Sequence, residues 1–169
     1  AFFSGTAWLD DGTIVYTSSR FKLMRVSAAG GPSTELVDLA DSQRLAVLPT
    51  RLPRGRGVLF TACGGVCEEA DLWVYDLDSG KARRLVPGAL RGWYLSSGHV
   101  IYVGRDGEMF AAPFDLKSLE LRGTPVPVIS GVGLIDAIVP VVTVSSAGTL
   151  LMRTSSVGGE GWQVYEMLW

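Results

Sequence analysis

Short apolar runs alternate with turn signals along the whole chain, most clearly between Ala89 and Val132. Trp93-Tyr94-Leu95 is one run, and Ser96-Ser97-Gly98 follows it as a turn. Val100-Ile101-Tyr102-Val103 is a second, closed by Arg105-Asp106-Gly107. Met109-Phe110-Ala111-Ala112-Pro113-Phe114 is a third, leading into a loop around Lys117-Ser118, and Thr124 to Ile129 is a fourth. Short apolar runs bounded by Gly, Asp and Ser predict strands. A continuous run such as Val100 to Val103 predicts a strand buried on both faces. Charge and proline, as in Arg83-Arg84 and Pro125/Pro127, predict outer strands nearer to solvent. No segment carries a capped helical period, and Ala40-Asp41-Ser42-Gln43-Arg44-Leu45 is expected to be a connecting loop.

The unit recurs. The turn glycines Gly12, Gly55, Gly98 and Gly148 each precede a β-rich run, at separations of 43, 43 and 50 residues. A second run follows in the same phase at Leu23, Leu72, Met109 and Gln163, and a third at Thr34–Val37, Ala82–Val86 and Pro125–Val128. A period of ~40–50 residues with about four strands per period is that of propeller blades. The predicted fold is therefore all-β: a β-propeller of four-stranded antiparallel blades. It has about four repeats, near residues 3–40, 43–88, 89–132 and 133–169, in a single propeller segment, and the last repeat lacks its outer strand. Propellers close with roughly four to eight blades. Three closures stay open: the chain is part of a larger propeller, two copies pair as halves of a homodimeric ring, or Phe2-Phe3-Ser4 supplies a missing strand. The chain starts without Met and stops mid-pattern at Val164 to Trp169, as an excised or processed piece would. A complete small protein without its initiator is the alternative.

Composition narrows the function classes. Of 169 residues, 47% are hydrophobic and 19% charged, enough for a folded core. The net charge of −2 offers no basic face, so nucleic-acid binding by phosphate neutralisation is disfavoured. No apolar run reaches the roughly 18–20 residues of a membrane span, and Ala1-Phe2-Phe3 has no charged signal-peptide start.

The repeat resembles the TolB-type, WD-like propeller repeat, an apolar strand, a Pro-Asp-Gly-like turn and a second apolar strand. Pro53-Arg54-Gly55 carries that turn with Arg for Asp, and Asp10-Asp11-Gly12 carries it without the Pro. The chain is most similar to the propeller region C-terminal to bacterial membrane-bound Ser/Thr protein kinases. The similarity rests on Gly92-Trp93-Tyr94, Ser97-Gly98-His99-Val100-Ile101-Tyr102-Val103, Asp106-Gly107 and Phe110-Ala111-Ala112-Pro113-Phe114-Asp115. It continues through Leu119-Glu120-Leu121-Arg122-Gly123-Thr124-Pro125-Val126-Pro127-Val128. The resemblance implies a non-enzymatic sensor or interaction module in a bacterium's extracytoplasmic space, periplasmic or at the cell surface. The kinase signatures themselves are missing from the sequence.

Candidate chemistry is sparse, and no catalytic, cofactor-binding or metal-binding residue is assigned. Cys63 and Cys67 are spaced to close a small disulfide loop between two strands, and two free thiols are the competing reading. A thiolate zinc site needs about four ligands, which the sequence does not group. The only histidine, His99, must serve any Ser-His-acid triad, and its place at a strand start favours a structural role. Asp76-Leu77-Asp78-Ser79-Gly80 resembles the start of a calcium loop, but without the remaining ligands it is a hairpin turn. Trp8 and Trp93 occupy matching repeat positions, and Trp73 and Trp162 nearly do, so these rings are expected to pack blades together rather than to hold sugars. Trp169 is the fifth tryptophan. The arginines at 51, 54, 56, 83, 84 and 91 are expected to form a solvated face. Two further readings compete with the interaction module: an accessory propeller of a hydrolase or peptidase, and a glycan-binding propeller.

Overall fold

The computed structural model describes residues 5–37, 39, 44–64, 67, 69–136, 138–154 and 162–166. Every regular element among them is a strand, apart from one 3-10 turn at Pro53–Gly55. Phe2-Phe3-Ser4, residues 40–43 and Trp169 lie outside the described residues.

Blade 1 is an antiparallel sheet of β1 (Thr6–Trp8), β2 (Thr13–Thr17), β3 (Leu23–Ser27) and β4 (Thr34–Val37), paired in chain order. Blade 2 repeats it with β5 (Arg44–Arg51), β6 (Gly57–Gly64), β7 (Glu69–Asp76) and β8 (Lys81–Pro87). Arg44 and Leu45 thus open a strand, not the loop expected of them. The reason lies across the sheet: the Arg44 guanidinium donates to the Ala62 carbonyl (3.1 Å) and the Glu69 carbonyl (2.9 Å), pinning the start of β5 to its neighbours. Blade 3 runs β9 (Ala89–Leu95), β10 (His99–Gly104) and β11 (Met109–Asp115). Its outer edge is split: β12 (Glu120–Leu121) pairs with the end of β11, and β13 (Val126–Ile129) with its beginning. A short hairpin, β14 (Leu134–Ile135) and β15 (Val139–Pro140), precedes blade 4. Blade 4 comprises β16 (Val142–Val144), β17 (Thr149–Arg153) and β18 (Trp162–Glu166).

The four turn glycines sit between the first and second strands of the four blades at φ 82, 61, 84 and 96, for Gly12, Gly55, Gly98 and Gly148. Glycine reaches this left-handed region without the steric cost of a side chain. In three blades the turn closes identically: Gly12, Gly98 and Gly148 donate to the carbonyls of Leu9, Leu95 and Ser145. Those bonds place Leu9, Leu95 and Ser145 at equivalent positions, and with the pairing registers they put the residues of blades 1, 3 and 4 in one common frame.

Contacts divide the chain into two compact units, residues 1–89 and 90–169. In the first, Ala7, Leu9, Val15 and Leu23 of blade 1 pack against Ala46, Val58, Phe60 and Ala62 of blade 2. In the second, Leu95, Ile101, Val103, Met109 and Ala111 of blade 3 pack against Val142, Leu150 and Met152 of blade 4. Alternation along each strand explains both cores, because successive side chains point to opposite faces of a blade. Val100 to Val103 is buried throughout, whereas β8 and β13 are largely exposed or half-exposed.

Candidate functional site

The most accessible apolar chemistry lies on the face of blade 4 that points away from its core. In β17, Leu150 and Met152 turn inward and Leu151 outward. Register places Thr143 and Val164 beside Leu151, and Trp162 beside Arg153. Trp162 is 66% exposed, Val164 68% and Leu151 38%. The β14–β15 hairpin banks the face with Ile135, Val139 and Pro140, leaving a groove of about 380 Å3 beside Trp162. Its walls are almost wholly carbon, so it can accept apolar side chains and stack a planar group.

Blade 1 carries a second open face. Trp8 lies opposite Ile14, and Thr6 opposite Tyr16. Trp8 is 63% exposed, while Ile14 and Tyr16 are half-buried. Thr6, Ile14, Tyr16 and Val26 line a shallow groove of about 610 Å3.

These positions correct the expectation for the tryptophans. Trp93, 8% exposed, and Trp73 pack within blade cores. Trp8 and Trp162 do not. Gly12 bonds to Leu9 and Gly98 to Leu95, so the partner of Trp8 is Tyr94, one residue beyond Trp93. Blade 2 has one extra residue in its turn: the Leu52 N–H donates to the Gly57 carbonyl as the Ser145 N–H does to that of Thr149, so Phe60 matches Met152. Trp73 pairs with Phe60, whereas Met152 pairs with Gln163 and Trp162 lies one step out of phase. A shift of one residue turns a side chain to the other face.

Polar side chains serve the scaffold. Asp71 is buried at one end of blade 2, 2.9 Å from the Arg44 guanidinium and 3.8 Å from that of Arg84, and it accepts the Gly88 N–H at 3.0 Å. Cys63 and Cys67, joined by a disulfide, close the adjacent β6–β7 connection. The arginines are not a uniformly solvated face. Arg51 pairs with Asp10, which also accepts the Arg54 backbone N–H at 2.8 Å, and Arg56 pairs with Asp76 and Asp78. Arg91 stacks on Trp93, 5.1 Å from the ring centre, and burial lowers its guanidinium pKa. Burial likewise raises the Tyr102 phenol.

The calcium-like segment is a turn capped by Asp76. Its carboxylate accepts from the Asp78 N–H (3.0 Å) and the Ser79 hydroxyl (2.9 Å). Burial pushes this carboxyl up, but those bonds and Arg56 outweigh it and hold the pKa below the ordinary value. Among the described residues no three His, Cys, Asp or Glu side chains converge on a metal site. His99 begins β10, with Nδ1 3.1 Å from the Ser97 hydroxyl across the turn. Asp115, bonded by Arg122 and by the N–H groups of Lys117 and Ser118, has its pKa drawn down to about 2.

No protein-family model matches the sequence, and no curated protein matches it. Solved structures do. TolB from Acinetobacter baumannii superposes with a TM-score of 0.68 at 16% identity, over 95% of this chain and 39% of its own. An oligogalacturonate lyase in complex with manganese gives 0.63 at 12%, over 95% and 47%. The β-propeller domain of the Trilobed protease from Pyrococcus furiosus, which has an open velcro topology, gives 0.54 at 13%, over 97% and 54%. The chain spans only about two-fifths to just over half the length of these proteins. At such identities the likeness speaks for fold alone, and the fold it establishes is a partial β-propeller built from TolB-type, WD-like blades.

Proposed function

We propose that this chain is a non-enzymatic β-propeller interaction module, related to the extracytoplasmic region of a bacterial Ser/Thr kinase. The observation that carries the reading is the apolar face of blade 4, where Trp162, Leu151 and Val164 stand open beside a groove walled almost wholly by carbon. An exposed apolar face of this kind marks a place where another surface docks. The kinase relationship is supported by the segment from Gly92 to Val128. The Cys63–Cys67 disulfide suits an oxidising compartment, and no helix among the described residues is long and apolar enough to cross a membrane.

The accessory-propeller reading has its own support, since the structurally similar proteins include the tricorn protease, the propeller domain of another protease and a lyase. Two measurements separate the two. Contiguous coding sequence is expected to encode a kinase and a membrane span upstream; a downstream α/β-hydrolase would replace that reading. The purified chain is expected to leave ester, peptide and oligogalacturonate substrates unchanged, with and without manganese. Turnover abolished by His99→Ala would refute the non-enzymatic assignment. Exposed Trp8 and Trp162 keep the glycan reading in play, and a glycan array with Trp162→Ala as control decides it.

A further inference from the structure

The common frame says what the two open faces are shaped to meet. On blade 4, Thr143, Leu151 and Trp162 hold the positions of Ala7, Val15 and Leu23 in blade 1. Leu151, Trp162 and Val164 likewise hold those of Ile101, Met109 and Ala111 in blade 3. In blades 1 and 3 these residues are buried because the following blade covers them. On blade 1, Thr6, Trp8, Ile14 and Tyr16 hold the positions of Val142, Val144, Leu150 and Met152. Those residues of blade 4 are covered by the preceding blade. One open face is thus the donor half, and the other the acceptor half, of the contact that already joins blade 3 to blade 4.

We propose that two copies of this chain associate head to tail, the Leu151–Trp162–Val164 face of one seated on the Trp8–Ile14–Tyr16 face of the other. The inference rests on the interaction-module reading and names its partner. It draws on two features: the register equivalence, which gives one chain both halves of the same contact, and the exposure of a tryptophan on each face. The contact is heterologous, joining different faces, so each copy has one of each to offer.

Light scattering on the purified chain at micromolar concentration is expected to give at least twice the mass of one chain. Leu151→Glu, which spoils only the blade 4 face, and Trp8→Glu, which spoils only the blade 1 face, are each expected to weaken self-association roughly 100-fold or more. Both residues are exposed in the single chain, so the variants should keep the parent's circular dichroism. Mixing the variants provides the decisive arm: the intact blade 4 face of Trp8→Glu meets the intact blade 1 face of Leu151→Glu, and a mixed pair forms. A wild-type chain that stays monomeric at 100 µM overturns the proposal, leaving the faces to another partner or to further blades on the same polypeptide. Dissociation by Leu151→Glu alone, with Trp8→Glu still paired, would mean like face on like face and also overturns it. A monomeric but inactive chain defeats only the self-pairing, whereas a paired chain with substrate turnover defeats only the interaction-module reading.

Discussion

Asp71→Asn keeps the shape of the side chain and removes its charge, which isolates what the buried carboxylate does for blade 2. The amide oxygen can still accept the Gly88 N–H. The Arg44 cation loses its counter-ion 2.9 Å away and keeps only the Ala62 and Glu69 carbonyls. Breaking a fully buried pair from one side costs about 3–5 kcal/mol. Arg44 keeps two acceptors and some contact with water, which reduces the expected loss to about 2–3 kcal/mol. Arg84, at 3.8 Å and mostly exposed, adds little. For a chain of this size that corresponds to a fall in Tm of roughly 5–10 °C. Urea denaturation of Asp71→Asn, Arg44→Met and Asp71→Leu/Arg44→Met measures it. The pair of apolar replacements should cost less than the two single charge losses summed, because no lone charge remains buried. If Asp71→Asn stays within about 0.5 kcal/mol of wild type, or the costs simply add, the reasoning about this hub is wrong.

Other outcomes follow from single contacts. Gly57→Ala would place its methyl 2.3 Å from the Tyr75 carbonyl oxygen and should cost about 1–3 kcal/mol in urea melts, while Gly64→Ala, with nothing within 4 Å, serves as control. Replacing Cys63 and Cys67 by Ser should cost about 2 kcal/mol, the loop-closure value for so short a loop, read as the difference from the oxidised chain. The Asp115 carboxyl, lowered from 3.8 to about 2, stabilises the fold above pH ~4, and that contribution is lost as pH falls through about 2. Asp115→Asn should therefore flatten the acid limb of a pH series of thermal melts, and an unchanged limb would contradict it.

Much of the fold is written in local sequence. Glycine spacing and the length of the apolar runs specify where blades begin and which strands are inner, since both depend on backbone chemistry a few residues wide. The split edge of blade 3 and the β14–β15 hairpin are not legible in this way. Glu120–Leu121 and Val126–Ile129 both read as outer-strand material, and only pairing with different ends of β11 distinguishes them. The arginine pairs escape for another reason: Arg51 meets Asp10 41 residues away, through proximity the blades create. The open face of blade 4 escaped because Leu150-Leu151-Met152 reads as one apolar run, although its middle residue points away from the core.

The half-step between tryptophan and turn also bears on how such a protein could change its open faces. Trp8 lies four residues before Gly12, and Trp93 five before Gly98. One inserted residue in that spacer would swing the Trp8 indole from solvent into the blade 1–blade 2 core, with no change in amino-acid composition beyond the insertion. A single codon in a turn can thus move an aromatic group from core packing to the open surface, or back. In a repeat of this kind, the chemistry of a blade's open face can evolve through indels in the turns while the strands stay untouched.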